Sequence, residues 1–228
     1  MSDNVTLCIT MGRRPDLLGQ TLDSLRDVLS SMPVLGINDF RDAETGDVFR
    51  ALCPHGTLID PGRKLGHHAA VDALYSQVAT PYIFHCEDDW RFTGSDFLAP
   101  AIALLDSEPL MSSVCLRALS DMSADEQSGA IRHTSALHQD YVRLDAMQDQ
   151  WYGYTFNPHI GRLALWRDIG GFAQFPKERH ISRHLRQQGR FVAYTSPGMC
   201  THIGEANSVS VPRLPLFTRV KRWARARR

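Results

Sequence analysis

Three adjacent carboxylates, Glu87, Asp88 and Asp89, follow directly on the apolar run Tyr82-Ile83-Phe84-His85-Cys86. Acids packed this closely at the end of a buried strand repel one another unless a cation or solvent compensates them. Side chains alternate in an extended segment, which predicts Glu87 and Asp89 on one side and Asp88 on the other. Oxygen ligands of this kind suit Mg²⁺ or Mn²⁺, ions that keep coordination positions open for phosphate oxygens. The plain alternative is a solvated acidic turn.

Chemistry at a strand end needs neighbouring strands that end beside it. Residues 5–10 form a short apolar run closed by Gly12, and Pro15 then opens a segment in which Leu18, Leu22, Leu25 and Leu29 recur every three or four positions. That spacing predicts a strand and then a helix. Residues 34–39 and 56–60 read as two more strands, Ala70, Leu74 and Val78 as a helix, and Pro81 starts the strand that carries the acids. The βαββαβ order predicts one α/β domain with a central, mostly parallel sheet flanked by helices, and ligands at the carboxyl ends of its strands. Further on, the expectations are a helix at 96–105, a strand at 114–118, a loop over 120–138, a helix at 177–188 closed by Gly189, and a strand at 191–195.

In this order the motifs resemble the family-two glycosyltransferases of GT-A fold, over approximately residues 5 to 205. Residues 5–10 with Arg13-Arg14-Pro15 are similar to the opening strand and loop of the family's nucleotide pocket. The resemblance therefore assigns Thr10, Gly12 and Arg13 to the donor, with Asp39 where an acid meets the nucleoside. Arg63-Lys64-Leu65-Gly66-His67-His68 resembles the loop and helix start beside the donor, so Arg63, Lys64 and His67 join that set. Glu87-Asp88-Asp89 occupies the place of the DxD motif, with Glu87 for the usual first Asp. This implies Glu87 and Asp89 at a metal and Asp88 at the donor. His202, in Cys200-Thr201-His202-Ile203-Gly204, resembles a downstream histidine that completes the metal site in some GT-A enzymes; a buried, hydrogen-bonded histidine is the alternative.

The segment Trp166-Arg167-Asp168-Ile169-Gly170-Gly171-Phe172 resembles the stretch ahead of the family's catalytic acid, and Lys177-Glu178 takes the place of its ED pair. Glu178 then stands as general base; otherwise it is a helix N-terminal acid favoured by the dipole, worth about 0.3–1 kcal/mol. Trp151 and Tyr152, in a dense aromatic stretch, are assigned to an acceptor wall, and Tyr154 and Phe156 to the core. The resemblance implies an inverting transfer from a nucleotide-sugar to a glycan or lipid-linked acceptor in envelope or surface glycan synthesis, assisted by Mn²⁺ or Mg²⁺. It also implies a Rossmann-like GT-A domain over 1–212, with a nucleotide-sugar half near 1–118 and an acceptor half near 119–212.

Composition bounds the alternatives. Lys+Arg and Asp+Glu number 25 each, but seven of the basic residues fall between Arg213 and Arg228 with no acid, leaving an acidic body and a basic tail. Pro215 can open a helix in that tail, with Phe217, Val220, Trp223 and Ala224 on one face, which suits an anionic membrane surface through 214–228. A solvated terminus is the other reading, and no specific nucleic acid is expected. Five cysteines without a CxxC pair fit reduced, buried thiols. The absence of a signal-peptide pattern and of an apolar run of about 18 residues points to the cytoplasm, with peripheral contact at the inner membrane face. A nucleotidyltransferase would need a glycine-rich, lysine-containing loop after the first strand, and Arg13-Arg14-Pro15 is not one. A non-catalytic nucleotide- or sugar-binding protein of the same fold is the rival class, motivated by Glu87 and Lys177.

Overall fold

The computed structural model describes residues 4–204. Strand and helix alternate from the start: β1 (Val5–Met11), α1 (Pro15–Ser24), the single turn α2 (Arg26–Leu29), β2 (Val34–Asn38), α3 (Ala43–Leu52), β3 (Thr57–Ile59), α4 (His67–Tyr75) and β4 (Tyr82–Glu87). A short β5 (Trp90–Phe92), α5 (Leu98–Ser107) and β6 (Met111–Cys115) follow, then α6 (Ala124–Gly129), β7 (Ile131–Thr134), β8 (Asp140–Arg143), β9 (His159–Arg162), α7 (Leu163–Asp168), α8 (Glu178–Gln187), β10 (Phe191–Thr195) and β11 (Cys200–His202).

Nine strands make the central sheet in the order β3-β2-β1-β4-β9-β6-β10-β8-β7. It is parallel from β3 to β4 and again between β6 and β10, while β9 runs antiparallel between β4 and β6. The α/β class with helices on both faces is as expected. All seven residues of β1 are buried, because helices cover both sides of it. Alternation sorts them: Leu7, Ile9 and Met11 pack with Leu18, Leu22 and Phe49 on one face, and Cys8 packs with Val71, Leu74 and Ile181 on the other. All five cysteines are buried and free.

Register does the positioning. Thr10 lies opposite both Ile37 and Glu87, and Met11 opposite Asn38, so β1, β2 and β4 end at one level and release Gly12, Asp39 and Asp88 side by side. A second, two-stranded sheet pairs β11 with β5 and sets His202 opposite Trp90, one residue from the acids.

Several expected boundaries move. Helix α3 was not expected: it buries only Thr45, Gly46 and Phe49, too thin a stripe to show as periodicity, although Asp42 caps it by accepting from the Thr45 N–H at 3.1 Å. The strand expected at 114–118 is Met111–Cys115, and the helix expected at 96–105 is Leu98–Ser107. The expected loop at 120–138 contains α6 and β7. Neither presents an apolar pattern, since α6 buries no residue and three of four residues in β7 are exposed. The one local signal was the capping box Ser123-Ala124-Asp125-Glu126. No helix among the described residues is long and apolar enough to cross a membrane. The basic tail, with its expected helix over 214–228, lies outside the described residues.

Candidate active site

Strand β4 stops at Glu87 and the chain turns through Asp88 and Asp89 before β5, so strand alternation does not extend to the last two acids. Glu87 and Asp88 border a cavity of about 270 Å³ at the strand ends, and Asp89 turns toward β11. Expected as one metal-binding trio, Glu87, Asp89 and His202 are not assembled that way. Among the described residues no cluster of three or more His, Cys, Asp or Glu is arranged to hold a metal ion. Asp89 and His202 do meet: the His202 Nε2–H donates to Asp89 Oδ2 at 3.0 Å.

Arg14 organises the turn. Its Nη2 donates to Asp88 Oδ1 and its Nη1 to Asp89 Oδ2, while the Gly12 N–H donates to Asp88 Oδ2 at 2.7 Å. The pairs are buried, with side-chain exposures of 12% for Arg14, 1% for Asp88 and 7% for Asp89. Such a planar, permanently charged fork suits two adjacent carboxylates. Burial opposes ionisation of Asp89, but the hydrogen bond from His202 and the Arg14 charge outweigh it and hold its carboxyl below the usual range. Burial pushes Asp88 up to about 6 in spite of Arg14 and Gly12. Glu87, which makes no ion pair among the described residues, is pushed up to about 8 by burial and by the charges of Asp89, Glu178 and Asp88, against the Arg14 charge. Gly204 completes the surround: a Cβ there would fall 2.3 Å from Asp89 Oδ2.

A divalent cation is implied by the resemblance, and Asp89 with His202 fits one. Asp89 Oδ1 is buried without a hydrogen-bond partner among the described residues, and the imidazole stands beside the same carboxylate. Carboxylate plus imidazole is a donor set for Mn²⁺, with remaining positions left to phosphate oxygens.

The cavity is walled by Thr10, Gly12, Arg14, Asp39, Phe40, Lys64, His67 and the first two acids. Asp39 accepts from the Leu65 N–H at 2.6 Å and the Gly66 N–H at 3.0 Å, so it fixes the approach to α4 while facing the cavity. The Lys64 ammonium, in the cavity wall, lies 3.9 Å from the centre of the Phe40 ring; the Arg13 guanidinium lies 5.7 Å from that centre but, exposed, does not itself line the cavity. Arg63 is exposed and does not line the cavity.

Glu178 is the first residue of α8, and its Oε1 accepts from the Phe156 N–H at 3.2 Å. Burial raises its carboxyl above the usual range, and its charge is one of those that raise Glu87; Glu178 is not among the residues that wall the cavity. Tyr154 and Phe156 lie in the core. Trp151 is on the surface at 37% exposure. The Tyr152 hydroxyl donates to Glu126 Oε1 at 3.2 Å and its carbonyl accepts from the Val192 N–H at 2.8 Å. The Gly153 N–H donates to Ser182 Oγ at 2.8 Å, which sets this pair beside the middle of α8, about 6 Å along the axis from Glu178. Arg14 and Phe40 were not singled out from sequence; the second of two arginines, three residues past the end of β1, was the available signal for Arg14.

No protein-family model matches this chain, and no curated protein matches it. Solved structures do. It is similar to the mannosyltransferase PcManGT from Pyrobaculum calidifontis in complex with GDP-Man and Mn²⁺, at 15% identity and a TM-score of 0.65, over 98% of this chain and 61% of that one. It is also similar to S. aureus TarS 1–349, at 12% identity and a TM-score of 0.57 over 88% of this chain and 60% of that one, and to the same TarS segment in complex with UDP, at 12% identity and a TM-score of 0.56 over 86% and 59%. This chain thus spans about three fifths of the length of those structures. A central, largely parallel sheet with helices on both faces is common to them, and the fold of this chain is theirs.

Proposed function

We propose that this chain is a glycosyltransferase that moves a sugar from a nucleotide-sugar donor to an acceptor hydroxyl with inversion. The observation that carries the reading is the cavity at the ends of β1, β2 and β4, lined by Asp39, Asp88 and Arg14, with Glu87 in its wall and Glu178 near enough for its charge to raise Glu87. The neighbours bound to GDP-Man with Mn²⁺ and to UDP support a nucleotide-sugar donor and a divalent ion.

In this reading Asp39, Thr10 and Phe40 hold the nucleoside, and Lys64 and Arg13 add positive charge at the rim. Glu178 takes the acceptor hydroxyl proton as the acceptor oxygen bonds to the anomeric carbon. The bond from that carbon to the phosphate oxygen breaks, and the nucleoside diphosphate leaves with the electron pair. A carboxylate raised by burial is suited to this, since a base works best with a pKa near the working pH, and such a base contributes about 10²–10⁴-fold. Asp89 and His202 would hold the Mn²⁺ or Mg²⁺, which when bound neutralises charge on the diphosphate. The basic tail over 213–228 motivates a lipid-linked or envelope-glycan acceptor at an anionic membrane surface on the cytoplasmic side.

Calorimetry with GDP and UDP, with and without Mn²⁺, tests the donor and metal assignments together. Wild type binds one of the two more tightly with Mn²⁺, and Asp89→Ala loses that dependence while keeping its fold. Equal affinity with and without Mn²⁺ in both proteins rejects the metal assignment; no binding of either nucleotide rejects the donor.

A further inference from the structure

Resting on the transfer reading above, we propose that Asp72 is a positioning residue for Glu178, tying the helix that borders the donor cavity to the segment that delivers the base. Helix α4 begins at His67 on the cavity wall, and Asp39 fixes its approach through the N–H groups of Leu65 and Gly66. Five residues later, about 7.5 Å along the axis, Asp72 is half-buried and turned toward the segment that precedes α8. Its carboxylate accepts three hydrogen bonds at 2.7 Å: from Trp166 Nε1 and the Phe172 N–H on Oδ1, and from the Ala173 N–H on Oδ2. On the same helix the His68 Nδ1–H donates to the Phe175 carbonyl at 2.7 Å. Glu178 follows three residues after Phe175.

Two of the three bonds to Asp72 come from backbone amides, so the carboxylate fixes the course of the chain and not merely one indole ring. Gly171 fits this use of the segment. It has φ of 85°, and a Cβ on it would lie 3.0 Å from Asp72 Oδ2, so backbone and carboxylate approach this closely only at a glycine. From Asp39 toward Glu178 the path is two hydrogen bonds into the approach to α4, the helix itself, and four hydrogen bonds from it to Trp166 and residues 172–175. A general base must sit within hydrogen-bond reach of its proton, and a misplacement of about 1 Å can cost about 10²-fold. Slack in residues 171–177 would therefore strike turnover and spare donor binding.

Amide hydrogen exchange on the full chain, with calorimetry and donor turnover, tests Asp72→Asn against Asp72→Ala. Asparagine keeps Oδ1 for Trp166 and Phe172 but turns an amide N–H toward the Ala173 N–H, retaining two of three bonds; alanine retains none. In Asp72→Ala, exchange at 172, 173 and the first turn of α8 rises about 10-fold or more while β1 and β4 keep wild-type protection. Asp72→Asn lies between. GDP and UDP affinities stay within about 2-fold of wild type in both variants, and turnover of the matching donor falls in kcat, about 10-fold for Asp72→Ala, with KM unchanged. Unchanged exchange in the first turn of α8, or a loss in nucleotide affinity as large as the loss in kcat, overturns the proposal. If wild type binds neither GDP nor UDP, the transfer reading fails and the catalytic meaning of Asp72 with it, while the exchange result separately decides whether the tie exists.

Discussion

Two groups of acids around the end of β4 handle negative charge in opposite ways. On the β4–β5 turn, Asp88 and Asp89 share the Arg14 guanidinium, and Asp89 also takes the His202 hydrogen bond. Glu87, one residue earlier at the end of β4, and Glu178 on α8 make no ion pair among the described residues, and burial raises both. Acids two residues apart in sequence thus divide into a charge-compensated pair suited to holding position and a member of a proton-affine pair suited to exchange. The difference lies in one arginine and the direction of one turn.

Removing that arginine is the strongest way to break the contrast. Arg14→Ala leaves Asp88 and Asp89 buried without their partner, and breaking a buried pair by removing one member costs about 3–5 kcal/mol. Denaturant unfolding reads this directly; a loss under about 1 kcal/mol means the acids do not depend on the guanidinium. Next in size, Glu178→Gln lowers turnover by about 10²-fold or more while nucleotide affinity holds, because a base acts on the transition state. Wild-type turnover in that variant moves the base elsewhere.

Gly204→Ala sharpens the compensated side. Its Cβ would fall 2.3 Å from Asp89 Oδ2, so the end of β11 must shift and loosen the His202 contact. Overpacking of this kind costs about 1–3 kcal/mol. A thermal midpoint equal to wild type shows that the carboxylate has room to rotate. The last effect is one of slope. Glu87 is raised from 4.5 to about 8, so the folded chain holds this proton where the unfolded chain has lost it, and stability falls as pH rises across that window. Asp89 acts in the opposite sense: its contribution is present above its unfolded value and is lost as pH falls through its lowered folded one. Glu87→Gln flattens the decline between about pH 5 and 8; the same slope in wild type and variant assigns it to another group.

What sequence made legible follows burial. Strands β1 and β4 are covered on both faces and read as apolar runs, and α1 repeats leucine at helical spacing, so the first half of the sheet and its acids were legible in the sequence. Residues 120–138 lie where the sheet meets solvent, and α6 and β7 bury too little to leave a pattern. At the site, the resemblance pointed to Asp39, Lys64, His67 and Asp88, all of which border the cavity. The pairing of Arg14 with two acids 74 and 75 residues away was not legible, because side-chain partners across a parallel sheet have no local signature. The facing of Glu87 and Asp89 was misjudged for a simpler reason: the strand ended two residues earlier than alternation required.

Strand β9 has a bearing on how the chain is made. It pairs with β4 on one side and β6 on the other, so these two strands, finished by residue 115, have no partner for their facing edges until residues 159–162 arrive. At synthesis rates of about 5–20 residues per second, a ribosome exposes both edges for a few seconds in every round of translation. Unpaired edges of apolar strands are templates for aggregation. A nascent chain halted before β9 should therefore be the species that chaperones hold, and truncations ending between β6 and β9 should be insoluble.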